Sequence, residues 1–167
     1  MSASMESFKV VDMPAFKVVG REWRVKMGGP VNPIPGYWGQ CFSDGTMARL
    51  DQQPGRIYPN AYIGWMGRYN MADQTFSYVV GVLAEAGATT PADLNVIDVP
   101  AAKFGVVTMT GTEPDIYMQA RPNIEAQLKA HALAFDEQVA CEMEWYDERF
   151  NPEAGPPLTI DYYAAVK

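Results

Sequence analysis

Val11-Asp-Met-Pro-Ala-Phe-Lys-Val18 returns later in the chain as Ile97-Asp-Val-Pro-Ala-Ala-Lys-Phe104. Asp12/Asp98, Pro14/Pro100, Ala15/Ala101 and Lys17/Lys103 are identical between the two copies. In each, a short apolar run meets Asp-x-Pro, and the proline ends it because it has no N–H for a strand ladder. Each copy then leads into a long strand, a helix and a hairpin. Four identities in a short window carry little alone, and the matching order of elements carries the reading. The fold expected is α+β, built from two pseudo-symmetric βαββ-type repeats, each with a leading strand. They span about 6–84 and about 92–167 of a single domain over 1–167. A duplication of this kind places a groove between its halves, and such junctions are common ligand sites.

Residues 1–6, before the first copy, read as a loose N-terminus. Phe8 to Val11 form a first strand and Phe16 to Lys26 a longer one, broken by Gly28-Gly29-Pro30. Asn32 is an expected N-cap for a helix from Pro33 or Pro35 to Phe42, which repeats Ile34, Tyr37, Trp38, Cys41 and Phe42 at spacings of three and four. Met47 to Leu50 add a short turn. Arg56 to Trp65 and Thr75 to Leu83 make a hairpin. In the second half, Val96 to Val99 and Lys103 to Thr110 are strands. Thr112-Glu113-Pro114 start a helix to Ala134 that Pro122 should kink or restart. Glu142 to Phe150 and Leu158 to Val166 are the last two strands.

Bulk composition removes several function classes. Of 167 residues, 48% are hydrophobic and 20% charged, ordinary for a globular domain. The formal net charge is -7 with no Lys/Arg cluster, which disfavours nucleic-acid binding and favours small cations. No signal peptide is recognisable at the start and no long apolar run would span a membrane, so a cytoplasmic protein is expected. Cys41 and Cys141 form no CxxC and read as reduced, buried thiols. There is no GxGxxG, P-loop, HExxH or GxSxG. The single histidine, His131, lies on the predicted helix and reads as a surface or packing residue. No metal and no cofactor is implied.

Carboxylates and aromatics remain. Glu142-Met-Glu-Trp-Tyr-Asp-Glu-Arg-Phe-Asn-Pro152 reads as a strand in which Glu142, Glu144, Tyr146, Glu148 and Phe150 share one face. A glutamate beside a tyrosine among aromatics can receive a cation or supply an acid and a base. Taken alone, the stretch reads first as an edge strand with solvated charges, which are common there. Ring faces attract cations, at about 0.5–2 kcal/mol each, and a partly buried carboxylate supplies the countercharge.

Several further stretches carry a resemblance. They are Val11 to Gly20, Ile34-Pro-Gly-Tyr-Trp through Asp44-Gly45, Ala61-Tyr-Ile-Gly and Tyr78-Val-Val-Gly-Val, followed by Val99-Pro-Ala-Ala-Lys-Phe, Glu144-Trp-Tyr-Asp-Glu-Arg-Phe-Asn-Pro and Leu158-Thr-Ile-Asp-Tyr-Tyr. In this order and spacing the chain resembles the GyrI-like small-molecule-binding domains, also used as effector-binding domains by AraC-type and MerR-type multidrug regulators of bacteria. The resemblance implies antiparallel sheets flanking a central groove, with helices outside. It implies bulky, hydrophobic, cationic aromatic ligands and a groove glutamate, best matched by Glu144, with Glu142 as fallback. Tyr146, Trp38, Trp65, Tyr62 and Phe104 complete the expected lining.

Three functions follow. The leading one is a stand-alone multidrug-type binding protein. The alternative is a hydrolase of cyclopropane-containing alkylating compounds, with Glu144 and Tyr146 as its catalytic pair. The third is a gyrase-inhibitor-like protein acting through a protein partner. No helix-turn-helix or basic segment is present, so direct DNA binding is not expected.

Overall fold

The computed structural model describes residues 3–167. The chain divides into two compact units, Ala15–Val99 and a second that joins Pro100–Lys167 to the N-terminal segment ending at Pro14. Both are α+β with antiparallel sheets. The leading strands are exchanged relative to the sequence repeats. Strand β1 (Ser4–Met13) belongs with the second half and pairs with β7 (Ala102–Gly111), while β6 (Asn95–Val99) pairs with β2 (Phe16–Lys26) in the first. Ser4 to Glu6 are thus strand rather than loose terminus; Met1 and Ser2 lie outside the described residues.

In the unit Ala15–Val99, α1 (Ile34–Ser43), α2 (Thr46–Asp51), β3 (Arg56–Ile57), β4 (Tyr62–Asn70) and β5 (Thr75–Glu85) complete the set. Strand β5 lies between β4 and β2, with β3 also on it. Its run from Ser77 to Ala84 is buried throughout, as expected of a central strand covered on both faces. Cys41, Met47 and Leu50 of the helices pack on Val25, Tyr78, Val80 and Val82, which fixes the helix-bearing face. Asn32 acts beside the cap position, its Oδ1 accepting the Ile34 N–H at 3.1 Å. The single strand expected from Arg56 to Trp65 is interrupted. Tyr58 sits at φ 51 and Pro59 offers no donor, so pairing with β5 stops at Ile57 and resumes at Ile63, one residue into β4.

In the other unit the order is β1-β7-β9-β8, with β8 covering Glu142–Tyr146 and β9 Leu158–Val166. The expected long helix is two: α3 (Asp115–Met118) and α4 (Ala120–Ala130). Pro122 falls in the first turn of α4, where a missing N–H leaves nothing unpaired, so it restarts the helix and the break precedes it. The helix ends before Ala134: Ala132 at φ 56 reverses the chain and the Leu133 N–H returns to the Leu128 carbonyl at 2.8 Å. Gly105 is what lets α4 approach, since a Cβ there would sit 3.2 Å from Leu128 and 3.3 Å from Phe8. His131 packs, its ring 5.0 Å from Phe8 and its Nδ1 2.8 Å from the Gln127 carbonyl.

Candidate functional site

Strand β8 places its side chains by alternation. Met143 and Trp145 are buried on one face, with Trp145 stacked on Tyr163 at 4.3 Å. Glu142, Glu144 and Tyr146 point to the other. That face carries the helices, because Glu142 reaches Arg121 of α4 and Tyr146 meets Tyr117 of α3. In this unit the glutamate and the helices therefore share one side of the sheet.

The two glutamates differ sharply. Glu142 is 7% exposed and accepts the Arg121 guanidinium at 2.6 Å. Arg121 also holds Glu125 at 2.8 Å and lies 4.3 Å above the Phe135 ring. Glu144 is half-buried, accepts the Tyr146 hydroxyl at 3.0 Å and stands opposite Tyr162 in register. The fallback residue is thus committed to an internal ion pair, and Glu144 is the glutamate set among rings.

Those rings form a cluster. Phe150 meets Tyr146 edge-on at 4.9 Å, and Tyr117 lies 6.4 Å from Tyr146 and 6.5 Å from Phe150. Tyr117 donates to Glu113 at 2.7 Å. Burial, then the Glu113 hydrogen bond, then the charges of Glu113 and Glu144 push the Tyr117 hydroxyl far above the ordinary phenol range. It remains a hydrogen-bond donor at any working pH. Phe150 does not arrive there by strand alternation, because β8 ends at Tyr146. Asp147 turns the chain, accepting the Arg149 N–H at 3.0 Å, and Arg149 reaches both Asp147 and Asp161 at 2.8 Å. That ion-paired turn fastens Phe150 and Tyr146 to β9.

The other expected lining residues are distributed differently. Phe104 is fully buried on the opposite face of its sheet, 6.2 Å from Tyr163: it pairs with Ala165, whereas the Glu144 row runs through Tyr162 and Val107. In the unit Ala15–Val99, Trp65 is 3% exposed and points away from α1 and α2. Trp38 and Tyr62 are half-buried on the helix-bearing face. Trp38 donates to the buried Tyr78 hydroxyl at 2.9 Å. Tyr62 donates to Asp51 and lies under Arg56 at 5.2 Å. Trp23 and Tyr37 stack beside them at 4.4 Å.

Sequence reading missed Glu113, Tyr117 and Arg121. The signal for the first two was present: a Glu and a Tyr four apart across a helix start face the same way. Arg121 required knowing that α4 lies over β8. Among the described residues, no cluster of His, Cys, Asp or Glu is arranged for a metal ion, and no helix is long and apolar enough to cross a membrane. Cys41 and Cys141 are buried free thiols.

The α+β scaffold thus holds a half-buried carboxylate among aromatic rings on one face of a sheet. Residues 6–167 match the GyrI-like small molecule binding domain, and the chain belongs to that family. It is 27% identical over 161 residues to the transcriptional regulator BrlR of Pseudomonas aeruginosa, covering 95% of this chain and 54% of that protein. The chain thus spans about half the length of the curated relative it matches. SAV2435, solved bound to tetraphenylphosphonium, superposes with a TM-score of 0.72 at 18% identity, covering 96% of this chain and 94% of the other. A hydrolase encoded by lin2189 of Listeria innocua superposes with a TM-score of 0.54 at 8% identity, covering 96% and 91%. These two likenesses establish the fold.

Proposed function

We propose that this chain binds bulky, hydrophobic, cationic aromatic molecules, with Glu144 as the countercharge and Tyr146, Tyr117, Phe150 and Tyr162 as the neighbouring rings. The observation that carries this reading is the setting of Glu144: half-buried on β8, it accepts the Tyr146 hydroxyl at 3.0 Å, and Tyr146 meets Phe150 and Tyr117 in an aromatic cluster. A delocalised aromatic cation loses little hydration on entering such surroundings and gains both ring faces and the carboxylate. Tetraphenylphosphonium, the ligand of the SAV2435 structure, is the natural probe.

The test is calorimetric titration of tetraphenylphosphonium into wild type and Glu144→Gln. The expected loss is about tenfold or more, or about 1.4 kcal/mol. Equal binding by both proteins would remove Glu144 from the site.

A second reading is favoured by the Glu144–Tyr146 hydrogen bond at 3.0 Å. Glu144 would take a proton from water as the water oxygen bonds to a cyclopropane carbon; the strained C–C bond breaks, its electron pair passes to the electron-withdrawing group conjugated with the ring, and that group accepts a hydrogen bond from the Tyr146 hydroxyl and takes the proton back from Glu144. Turnover of a cyclopropane-containing alkylating compound, lost in Glu144→Gln, would establish hydrolysis. Its absence in a protein that binds the probe would leave binding alone.

A further inference from the structure

Glu142 and Glu144 point to the same side of β8, and residues two apart on a strand are about 7 Å apart. Two carboxylates at that spacing would suit a compact dication. Arg121 changes this. Its guanidinium contacts Glu142 at 2.6 Å while resting 4.3 Å above the Phe135 ring. The arrangement is itself a cation held by a carboxylate and an aromatic face, built from the protein's own side chains. It reproduces beside Glu144 the recognition proposed for the ligand. The geometry points to Arg121 as the residue that sets ligand charge: by neutralising Glu142 it tunes this face of β8 to monovalent rather than divalent organic cations. The inference rests on the proposed role of Glu144.

The electrostatic consequence has a definite pattern. Removing the Arg121 charge adds one net negative charge near the ligand, which strengthens binding of a monocation once and of a dication twice over. Removing the Glu142 charge alone does the reverse, leaving Arg121 to repel a dication more than a monocation. Removing both restores the balance. A purely structural ion pair would weaken or spare both ligands alike and leave their ratio fixed.

The experiment is calorimetric titration of tetraphenylphosphonium and of the dication p-xylylenebis(triphenylphosphonium) into wild type, Arg121→Gln, Glu142→Gln and the double variant. The dication-to-monocation affinity ratio is expected to rise about tenfold in Arg121→Gln, fall about tenfold in Glu142→Gln, and return to the wild-type value in the double variant. If Arg121→Gln does not fold, Glu142→Gln and the double variant still decide, since neither strands a buried carboxylate. Tetraphenylphosphonium binding with an unchanged ratio overturns the inference and leaves the Glu144 reading standing. No binding of either cation by wild type overturns both.

Discussion

The two copies of the repeat keep the same register and spend it on different chemistry. Aligning Lys17 with Lys103 matches Arg21 to Val107. Arg21 pairs with Val80, which pairs with Gly64; Val107 pairs with Tyr162, which pairs with Glu144. The position that carries the carboxylate in one unit is a glycine in the other. Tyr62, donating to Asp51, stands where Glu142 holds Arg121. The glycines also change sides. Gly105 opens the helix-bearing face of one sheet to α4, while Gly20 and Gly81 face each other on the opposite surface of the other sheet. Duplication supplies a frame of strands and helices. Single register positions then decide which copy carries the strand carboxylate and which leaves that position bare.

The largest effect should come from breaking the frame itself. A Cβ on Gly20 would run into the Val80 carbonyl and the backbone of Gly81, atoms that cannot move without disturbing the central strand pair. Gly20→Val should therefore cost at least about 3 kcal/mol or prevent folding. Gly105→Ala meets only the side chains of Leu128, Phe8 and Val166 at 3.2 Å or more, and should cost about 1–2 kcal/mol. Urea unfolding of both variants measures the difference, and equal midpoints would sink the contrast between the two surfaces.

The matched positions Tyr62 and Glu142 should differ in what they contribute to stability. Arg121→Ala leaves the Glu142 carboxylate, 9% exposed, without its guanidinium. The expected loss is about 2–3 kcal/mol, below the ~3–5 of a fully buried pair because Arg121 itself is half exposed. Tyr62→Phe removes one hydroxyl from an Asp51 that keeps Arg56 and solvent, and should cost about 1 kcal/mol or less. Thermal melts of the two variants should rank in that order.

The duplication was legible because Asp-x-Pro-Ala punctuation and strand–helix–hairpin order are local signals. The exchange of leading strands was not. Val11 and Ile97 carry the same local pattern whether they pair with the following strand or with one in the other half, and only the assembled registers tell. Glu144 and Tyr146 were legible as an i, i+2 pair on one strand face. Trp65 and Phe104 illustrate the limit. Both are large aromatics on strands, yet alternation places them on the faces away from their helices, and a one-residue shift in register reverses every such assignment. Tyr117 and Arg121 reach β8 from helices distant in sequence, so no pattern within β8 announces them.

The smallest effect distinguishes how the two units hold their aspartates. Burial would raise Asp147, but the hydrogen bonds and charge of Arg149 outweigh it and hold the carboxyl below its usual range. In the other unit the Thr46 hydroxyl and N–H, then the Arg21 charge, hold Asp44 low as well. A carboxylate whose folded pKa is depressed stabilises the fold fully above its unfolded value, about 3.9, and loses that contribution as pH falls through the folded value. The melting-temperature advantage of wild type over Asp147→Asn, and over Asp44→Asn, should thus be flat from pH 7 to about 5 and shrink below about 4. Salt separates the two. The Asp147 side chain is 12% exposed and Asp44 34%. Raising sodium chloride to about 0.5 M should erode the part of the Asp44 advantage that comes from the Arg21 charge, leaving the part from the Thr46 hydrogen bonds, while most of the Asp147 advantage survives, because screening reaches exposed pairs first. Equal erosion of both would mean that the turn after β8 is held no more tightly than an ordinary surface ion pair, and Phe150 and Tyr146 would lose their fixed support beside Glu144.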